Sequence, residues 1–218
     1  MDAKEIAAGF KKINEMAMKA MGAGEYKEAI AIFMEGLALE EKLGLDVPMA
    51  ESYANIGNVY LSAGELEEAQ NHLVKAQKIF QKASKTENFI ATSLTIAAIM
   101  EEKGDDTGAQ KQLDSALRLA RNGEQRGSIL FRVACLNQKI KNNYKAQEAY
   151  GRALMEMERL NRKSDVLLCL LARASLFLQM DRQMLASRDI ARAKSLTLGN
   201  EILQEQYVNA LAELGLEG

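Results

Sequence analysis

The sequence has few residues that interrupt helices and few that could build a metal or disulfide site. Its 218 residues include one proline, no tryptophan, two cysteines and one histidine. With so few helix breakers and so much Ala, Leu, Glu, Lys and Met, the composition predicts an all-α chain. Cys135, Cys169 and His72 are too few for a disulfide framework or a Cys/His zinc site. We therefore expect two buried, reduced thiols in a cytoplasmic protein, with no metal and no cofactor.

Catalytic motifs are also missing. The sequence has no glycine-rich phosphate loop, no nucleophile elbow and no H-E-x-x-H motif. His72 is expected on an exposed helix face without a base or an orienting partner. These absences predict a protein that is not an enzyme.

Membrane and nucleic-acid partners are not expected either. The longest apolar stretch, from Val166 to Met180, is interrupted by Arg173 and is shorter than the roughly 20 residues that span a bilayer. The formal net charge is −2, and the C-terminal half is only mildly basic.

The charges are distributed unevenly along the chain. Residues 1–110 contain 11 Lys, no Arg and 18 acidic residues, a net charge of −7, whereas residues 111–218 carry a net charge of +5. The difference reflects solvated helix faces, or a C-terminal half that meets either an acidic partner or the N-terminal half of another copy, since such asymmetry can steer association.

Small residues recur on a fixed grid, and this is the most informative pattern in the chain. The step between equivalent residues is 40, 40, 37 and 40 positions in each of three columns. A fixed period of this length predicts a stack of repeats, each burying its apolar face against its neighbours. The columns are Ala17, Gly57, Ala97, Ala134 and Ala174; Ala29, Ala69, Ala109, Ala146 and Ala186; and Gly36, Ala76, Ala116, Ala153 and Ala193.

Each repeat is predicted to form two helices, with the small residues where the helices approach most closely. Gly24, Gly64 and Gly104 lie five residues before the second column, where glycine allows a tight turn in the left-handed conformation. The fourth and fifth repeats have Lys141 and Asp181 at that position. Those two turns are therefore expected to differ.

The second repeat resembles the tetratricopeptide repeat family. The matching residues are Tyr53, Ile56, Gly57, Tyr60, Gly64, Glu68, Ala69, Leu73 and Ala76. The 40-residue step exceeds the family's 34 and is similar to the extended repeats of the Pins/LGN and kinesin light chain type. Arg173 occupies a motif position that is normally apolar.

This resemblance implies an all-α, right-handed superhelical solenoid of five helix-turn-helix repeats plus a C-terminal capping helix. The solenoid is expected over residues 1–198, with repeats at about 10–47, 48–86, 87–123, 124–163 and 164–198. The cap is expected over residues 199–218.

The resemblance also implies a concave groove that holds a peptide and is lined by the first helix of each repeat. The candidate lining residues are Asn14, Asn55, Asn58, Leu94, Phe131, Arg132, Leu168 and Leu171. An amide carries both a donor and an acceptor and can pair with a peptide backbone, whereas apolar side chains could anchor a bound segment.

Six of these residues also have a purely structural interpretation. Asn55 and Asn58 could be solvated side chains on a helix. Phe131, Leu168 and Leu171 could belong to the core, and Arg132 could form a surface ion pair. The leading functional hypothesis is a non-catalytic adaptor or scaffold that binds a peptide segment of a partner protein. The alternatives are a homo-oligomeric assembly scaffold and a peptide-responsive regulator.

Overall fold

The chain folds into helices joined by short turns. The computed structural model describes residues 3–216, and this range contains eleven helices and no strand. The predicted all-α class, with five helix pairs and a final helix, is confirmed. The helices are α1 (Ala3–Gly22), α2 (Tyr26–Leu43), α3 (Asp46–Ser62), α4 (Leu66–Lys82), α5 (Thr86–Glu102), α6 (Asp106–Leu119), α7 (Gly123–Lys139), α8 (Asn143–Arg159), α9 (Lys163–Gln179), α10 (Gln183–Leu196) and α11 (Glu201–Glu213).

The chain divides into two compact units, Met1–Gln112 and Leu113–Gly218. In the first unit, α1 packs against α2, α2 against α3, α3 against α4 and α4 against α5. In the second unit, α7, α8, α9 and α10 pack in the same sequential manner, and α11 packs against α9 and α10. Helices therefore contact mainly their neighbours in sequence, as expected of stacked repeats.

All fifteen small residues of the three columns are buried, as the grid predicts. Gly57 shows why they must be small. A Cβ atom added to it would lie 2.7 Å from Leu73 Cγ and 3.1 Å from the carbonyl oxygen of Ala69. Because α3 and α4 approach so closely here, the large side chain of Leu73 fits over the glycine and is itself 1 % exposed.

The turns at Lys141 and Asp181 have the same backbone as the glycine turns, so the expected difference is wrong. Gly64 has a φ of +79°, Lys141 of +61° and Asp181 of +55°. Each residue donates its N–H to the carbonyl three residues earlier, and the next residue donates to the carbonyl five residues earlier. This double hydrogen bond is the Schellman motif. The motif fixes the conformation, and the two non-glycine residues adopt it at a cost in strain.

Replacing Lys141 by glycine should therefore stabilise the protein. We expect Lys141→Gly to raise the free energy of unfolding by about 0.5–1 kcal/mol, because relief of the left-handed strain exceeds the extra entropy of glycine in the unfolded chain. Urea denaturation measures the change. Lys145→Gly, at an exposed position inside α8, is the control and should lower stability by about 1 kcal/mol. Equal losses in both variants would contradict this interpretation of the turn.

Helix α11 packs its apolar face on the preceding pair and exposes the other face. Asn200 caps the helix, since its side chain accepts a hydrogen bond from the N–H of Leu203 at 3.0 Å. Leu203 and Tyr207 are buried, whereas Ile202 is 70 % exposed. Residues 217–218 of the predicted cap lie outside the described residues.

Candidate functional site

The first unit presents a polar surface between α3 and α5. Asn55 is half-buried and Asn58, one helical turn later, is exposed. Together with Asn88 and Thr95 of α5 they line a shallow cavity of about 180 Å³. The Thr95 hydroxyl donates to the carbonyl of Ala91 at 3.2 Å within its own helix. The structure thus brings two of the predicted asparagine side chains to one cavity, together with polar residues of α5, the first helix of the following pair.

A larger cavity of about 920 Å³ lies between α1, the end of α2 and α3. We call it the Glu40 cavity. Asn14, the third predicted asparagine, lines this cavity rather than the one at Asn55. Glu51 lines both cavities, so the two are neighbours on one face of the first unit. The apolar lining residues are Phe10, Met18, Leu43, Leu45 and Pro48, and the polar ones are Lys11, Asn14, Glu15, Glu40, Glu51 and Ser52.

Glu40 is an unusual member of this lining. Glu40 is only 4 % exposed, and no atom of the described chain forms a hydrogen bond with its Oε2. Desolvation raises the pKa of the carboxyl above its ordinary value of 4.5, the hydrogen bond with Ser52 lowers it in part, and the charge of Glu51 raises it further. A buried carboxylate oxygen without a partner costs free energy.

Glu40→Gln should consequently stabilise the protein at neutral pH. Because the folded-state pKa is raised, Glu40 binds a proton more readily in the folded chain than in the unfolded one, and its stability penalty grows as the pH rises from about 4.5 through the folded-state pKa. We expect a gain of about 1 kcal/mol at pH 7 that disappears below pH 4.5. Urea denaturation of both proteins across this pH range measures the difference. A loss of stability at pH 7 would show that the carboxylate is well satisfied.

The second unit contains an apolar cavity of about 690 Å³ between α7, α9 and α11. Two predicted residues line it, Phe131 of α7 and Leu168 of α9, and Leu168 is 39 % exposed. The ring of Phe131 meets Tyr150 edge-on, with centroids 6.0 Å apart. The Tyr150 hydroxyl donates to Gln138 Oε1 at 2.8 Å, and burial raises the pKa of this phenol.

Helix α11 forms one wall of this second cavity, which the sequence did not indicate. Ala210, Glu213 and Leu214 contribute to the lining. The final helix therefore covers the repeat stack and also shapes a cavity beside the first helices of the fourth and fifth repeats.

The remaining predicted residues do not join these cavities. Leu171 is fully buried in the core of the second unit, so its assignment to the groove is wrong. Leu94 and Arg132 are half-buried and line none of the three cavities described above.

His72 is buried, which corrects the expectation of an exposed helix residue. It is 7 % exposed, and its ring stacks on Tyr60 with centroids 5.4 Å apart. Burial lowers the pKa of the imidazole, and the charge of Lys75 lowers it further. The sequence contained a usable signal, because His72 lies three residues after Ala69 and four before Ala76, on the buried face of α4.

Within residues 3–216, no group of three or more His, Cys, Asp or Glu side chains is arranged to hold a metal ion. Neither cysteine of this range forms a disulfide bond; Cys169 is buried and Cys135 is half-buried. None of the described helices combines the length and the apolar character needed to cross a bilayer.

The comparisons with known proteins agree with this architecture. The family model for the tetratricopeptide repeat matches residues 12–82. No curated protein matches the sequence significantly. Among solved structures, BtubC (BKLC) from P. vanneervenii has a TM-score of 0.80 at 17 % identity, with 90 % of this chain and 83 % of that chain covered.

Two further structures extend the comparison. The putative kinesin light chain repeats of Podosopora anserina give a TM-score of 0.72 at 15 % identity, with 88 % of this chain and 95 % of that chain covered. A Rap protein complexed with competence and sporulation factor gives a TM-score of 0.67 at 14 % identity, with 94 % of this chain covered. This chain covers 62 % of that Rap chain. Residues 12–82 therefore match the tetratricopeptide repeat family model, and the described residues have an all-α helix-pair fold similar to that of kinesin light chain-like repeat structures.

Proposed function

We propose that this protein is a non-catalytic adaptor that binds a peptide segment of a partner protein on the face that α1, α3 and α5 form in its first unit. The observation that carries the proposal is the juxtaposition of Asn55 and Asn58 with polar residues of α5 around one cavity. The repeat family supports a role in protein–protein interaction. The structurally similar Rap protein was solved in complex with competence and sporulation factor, which also supports a bound ligand on this fold.

The chemistry of the α3–α5 cavity suits an extended peptide. A side-chain amide offers a donor and an acceptor together, and a peptide bond requires the same pair in reverse. Asn55 and Asn58 lie one helical turn apart, so they are placed to contact successive peptide groups. Binding through the peptide backbone would leave sequence selectivity to the neighbouring apolar and charged side chains.

The test begins with random peptides of about twelve residues displayed on phage and selected on the full-length chain. Asn55→Ala combined with Asn58→Ala should weaken binding of the selected peptides by about tenfold to a hundredfold, since each lost hydrogen bond costs about 1 kcal/mol. Isothermal titration calorimetry with synthetic peptides measures the dissociation constants. The melting temperature should not fall, because neither amide is in the core.

Asn71→Ala provides the matched control, because Asn71 is exposed on α4, the second helix of the same pair. It should leave the affinity unchanged. Equal binding by the double variant and the control would remove Asn55 and Asn58 from the site. Failure to select any peptide would count against the adaptor function itself.

We further propose that the repeats follow the boundaries of the sequence grid, at about 10–47, 48–86, 87–123, 124–163 and 164–198. Under this division the first three repeats contribute α1, α3 and α5 to the proposed binding face of the first unit.

A further inference from the structure

The buried carboxyl group of Glu40, on the first unit, has one oxygen without a hydrogen-bond partner in the described chain. Its Oε2 atom is buried and accepts no hydrogen bond within the described chain, while the Ser52 hydroxyl donates a hydrogen bond to the same carboxyl group. Buried polar groups in folded proteins are nearly always paired. A ligand that supplies an N–H donor at this atom would remove the deficit.

The surroundings of Glu40 specify what kind of ligand fits. The lining places three carboxylates, Glu15, Glu40 and Glu51, against one cationic side chain, Lys11. Lys11 is itself 3.8 Å from Glu15 in an exposed ion pair. The cavity is therefore acidic, and a cationic donor is favoured over a neutral or anionic one.

The apolar lining residues favour a ligand that also carries a large apolar group. Met18 is 49 % exposed and Leu43 is 43 % exposed, and both border the cavity beside Pro48. The volume of about 920 Å³ lies near the upper end of the roughly 300–1,000 Å³ common for ligand sites. This space accommodates a large apolar side chain together with a long basic one.

Continuity with the α3–α5 cavity indicates a polypeptide rather than a small amine. Glu51 lines both cavities, so one extended chain can pass from the amides of Asn55 and Asn58 to the Glu40 cavity.

We propose that the Glu40 cavity binds a basic–apolar segment of the partner peptide, in which a Lys or Arg side chain donates to Glu40 and an adjacent large apolar side chain packs on Met18 and Leu43. This inference rests on the proposed adaptor function and adds the chemical class of its ligand. It also explains why a destabilising carboxylate is present at this position: the ligand completes its hydrogen bonding.

The experiment uses the same phage-displayed peptides, selected in parallel on the wild-type chain and on Glu40→Gln. Peptides that prefer the wild type should carry Lys or Arg next to a large apolar residue. For a synthetic peptide of this kind, Glu40→Gln should weaken binding by more than about tenfold, since breaking a buried charge pair is costly. Acetylating the peptide lysine should cause a similar loss on the wild type and little further loss on Glu40→Gln.

Glu35→Gln is the charge-matched control, because Glu35 lies on the same helix at an exposed position. It should leave the affinity unchanged. A second pair tests the apolar contact: Met18→Gln should weaken binding, whereas Met34→Gln, at an exposed position of α2, should not. Both Glu40→Gln and Met18→Gln should keep the melting temperature of the wild type or raise it.

The outcomes separate this inference from the adaptor function. Peptides that bind through Asn55 and Asn58 but show no excess of Lys or Arg, and no dependence on Glu40, would overturn the inference and leave the adaptor function standing. The same holds if free lysine amide competes as well as the peptide, or if Glu40→Gln abolishes self-association of the chain instead of peptide binding. The absence of any selected peptide would overturn both.

Discussion

Arg173→Val should destabilise the protein by about 3–5 kcal/mol, the largest loss expected from a single substitution outside the small-residue columns. The guanidinium of Arg173 on α9 donates two hydrogen bonds to Asp189 on α10, from Nε at 2.7 Å and from Nη2 at 2.9 Å. Arg173 is 15 % exposed at its side chain and Asp189 only 1 %. Removing the arginine leaves the buried carboxylate without its bidentate partner. Urea denaturation at pH 7 measures the loss.

The neighbouring repeat supplies the control, because it has Val133 and Ala149 where this repeat has Arg173 and Asp189. The double variant Arg173→Val with Asp189→Ala should recover most of the stability, since an apolar pair can replace a buried ion pair at little net cost. Strictly additive losses in the two single variants and the double variant would show that the two side chains are not coupled.

Gly57→Leu should lower stability by about 3 kcal/mol, because even its Cβ atom would lie 2.7 Å from Leu73 Cγ and 3.1 Å from a backbone oxygen. Neither neighbour can withdraw: Leu73 is 1 % exposed, and the oxygen belongs to the backbone of α4. The urea midpoint should fall because the added side chain forces α3 and α4 apart.

Gly151→Leu is the matched control for helix propensity. Gly151 lies inside α8, and nothing comes within 4 Å of a Cβ atom added there. Replacing a helical glycine in open space should stabilise the chain by about 0.5–1 kcal/mol. If Gly57→Leu were equally harmless, the small-residue columns would not mark the closest helix contacts.

The grid of small residues was enough to predict the helix pairs, because close helix packing limits side-chain size at fixed positions. All fifteen positions are buried, and Gly57 shows the geometric reason. The Schellman turns were harder to predict. Lys141 and Asp181 adopt the glycine conformation because the hydrogen bonds of the motif and the packing of the flanking helices outweigh the preference of one residue.

The expectation that His72 is exposed was wrong because polar side chains also occupy the buried helix face. His72 and Asp189 occupy equivalent positions, each three residues after the second small column, yet one stacks on Tyr60 and the other binds Arg173. Position on the helix predicts their burial. It does not identify the partner, because the partner depends on which side chain of the neighbouring helix reaches that point.

The candidate site was only partly accessible from the sequence. Asn55 and Asn58 could be placed on a first helix, and the structure adds the residues of α5 around them. Glu40 was missed because it lies near the end of a second helix beside Glu41, where acidic residues are usually solvated. Its burial at the edge of this cavity depends on how α1, α2 and α3 meet, and no local sequence pattern encodes that geometry.

The most direct test of the account is an NMR titration of the isotope-labelled chain with a peptide selected on it. Asparagine side-chain amides give resolved signals, so the contacts proposed here can be observed individually. The side-chain signals of Asn55 and Asn58 should shift together with backbone signals around Glu40, while those of Asn71 on α4 should stay in place. Shifts confined to the second helices, with Asn55 and Asn58 unchanged, would contradict it.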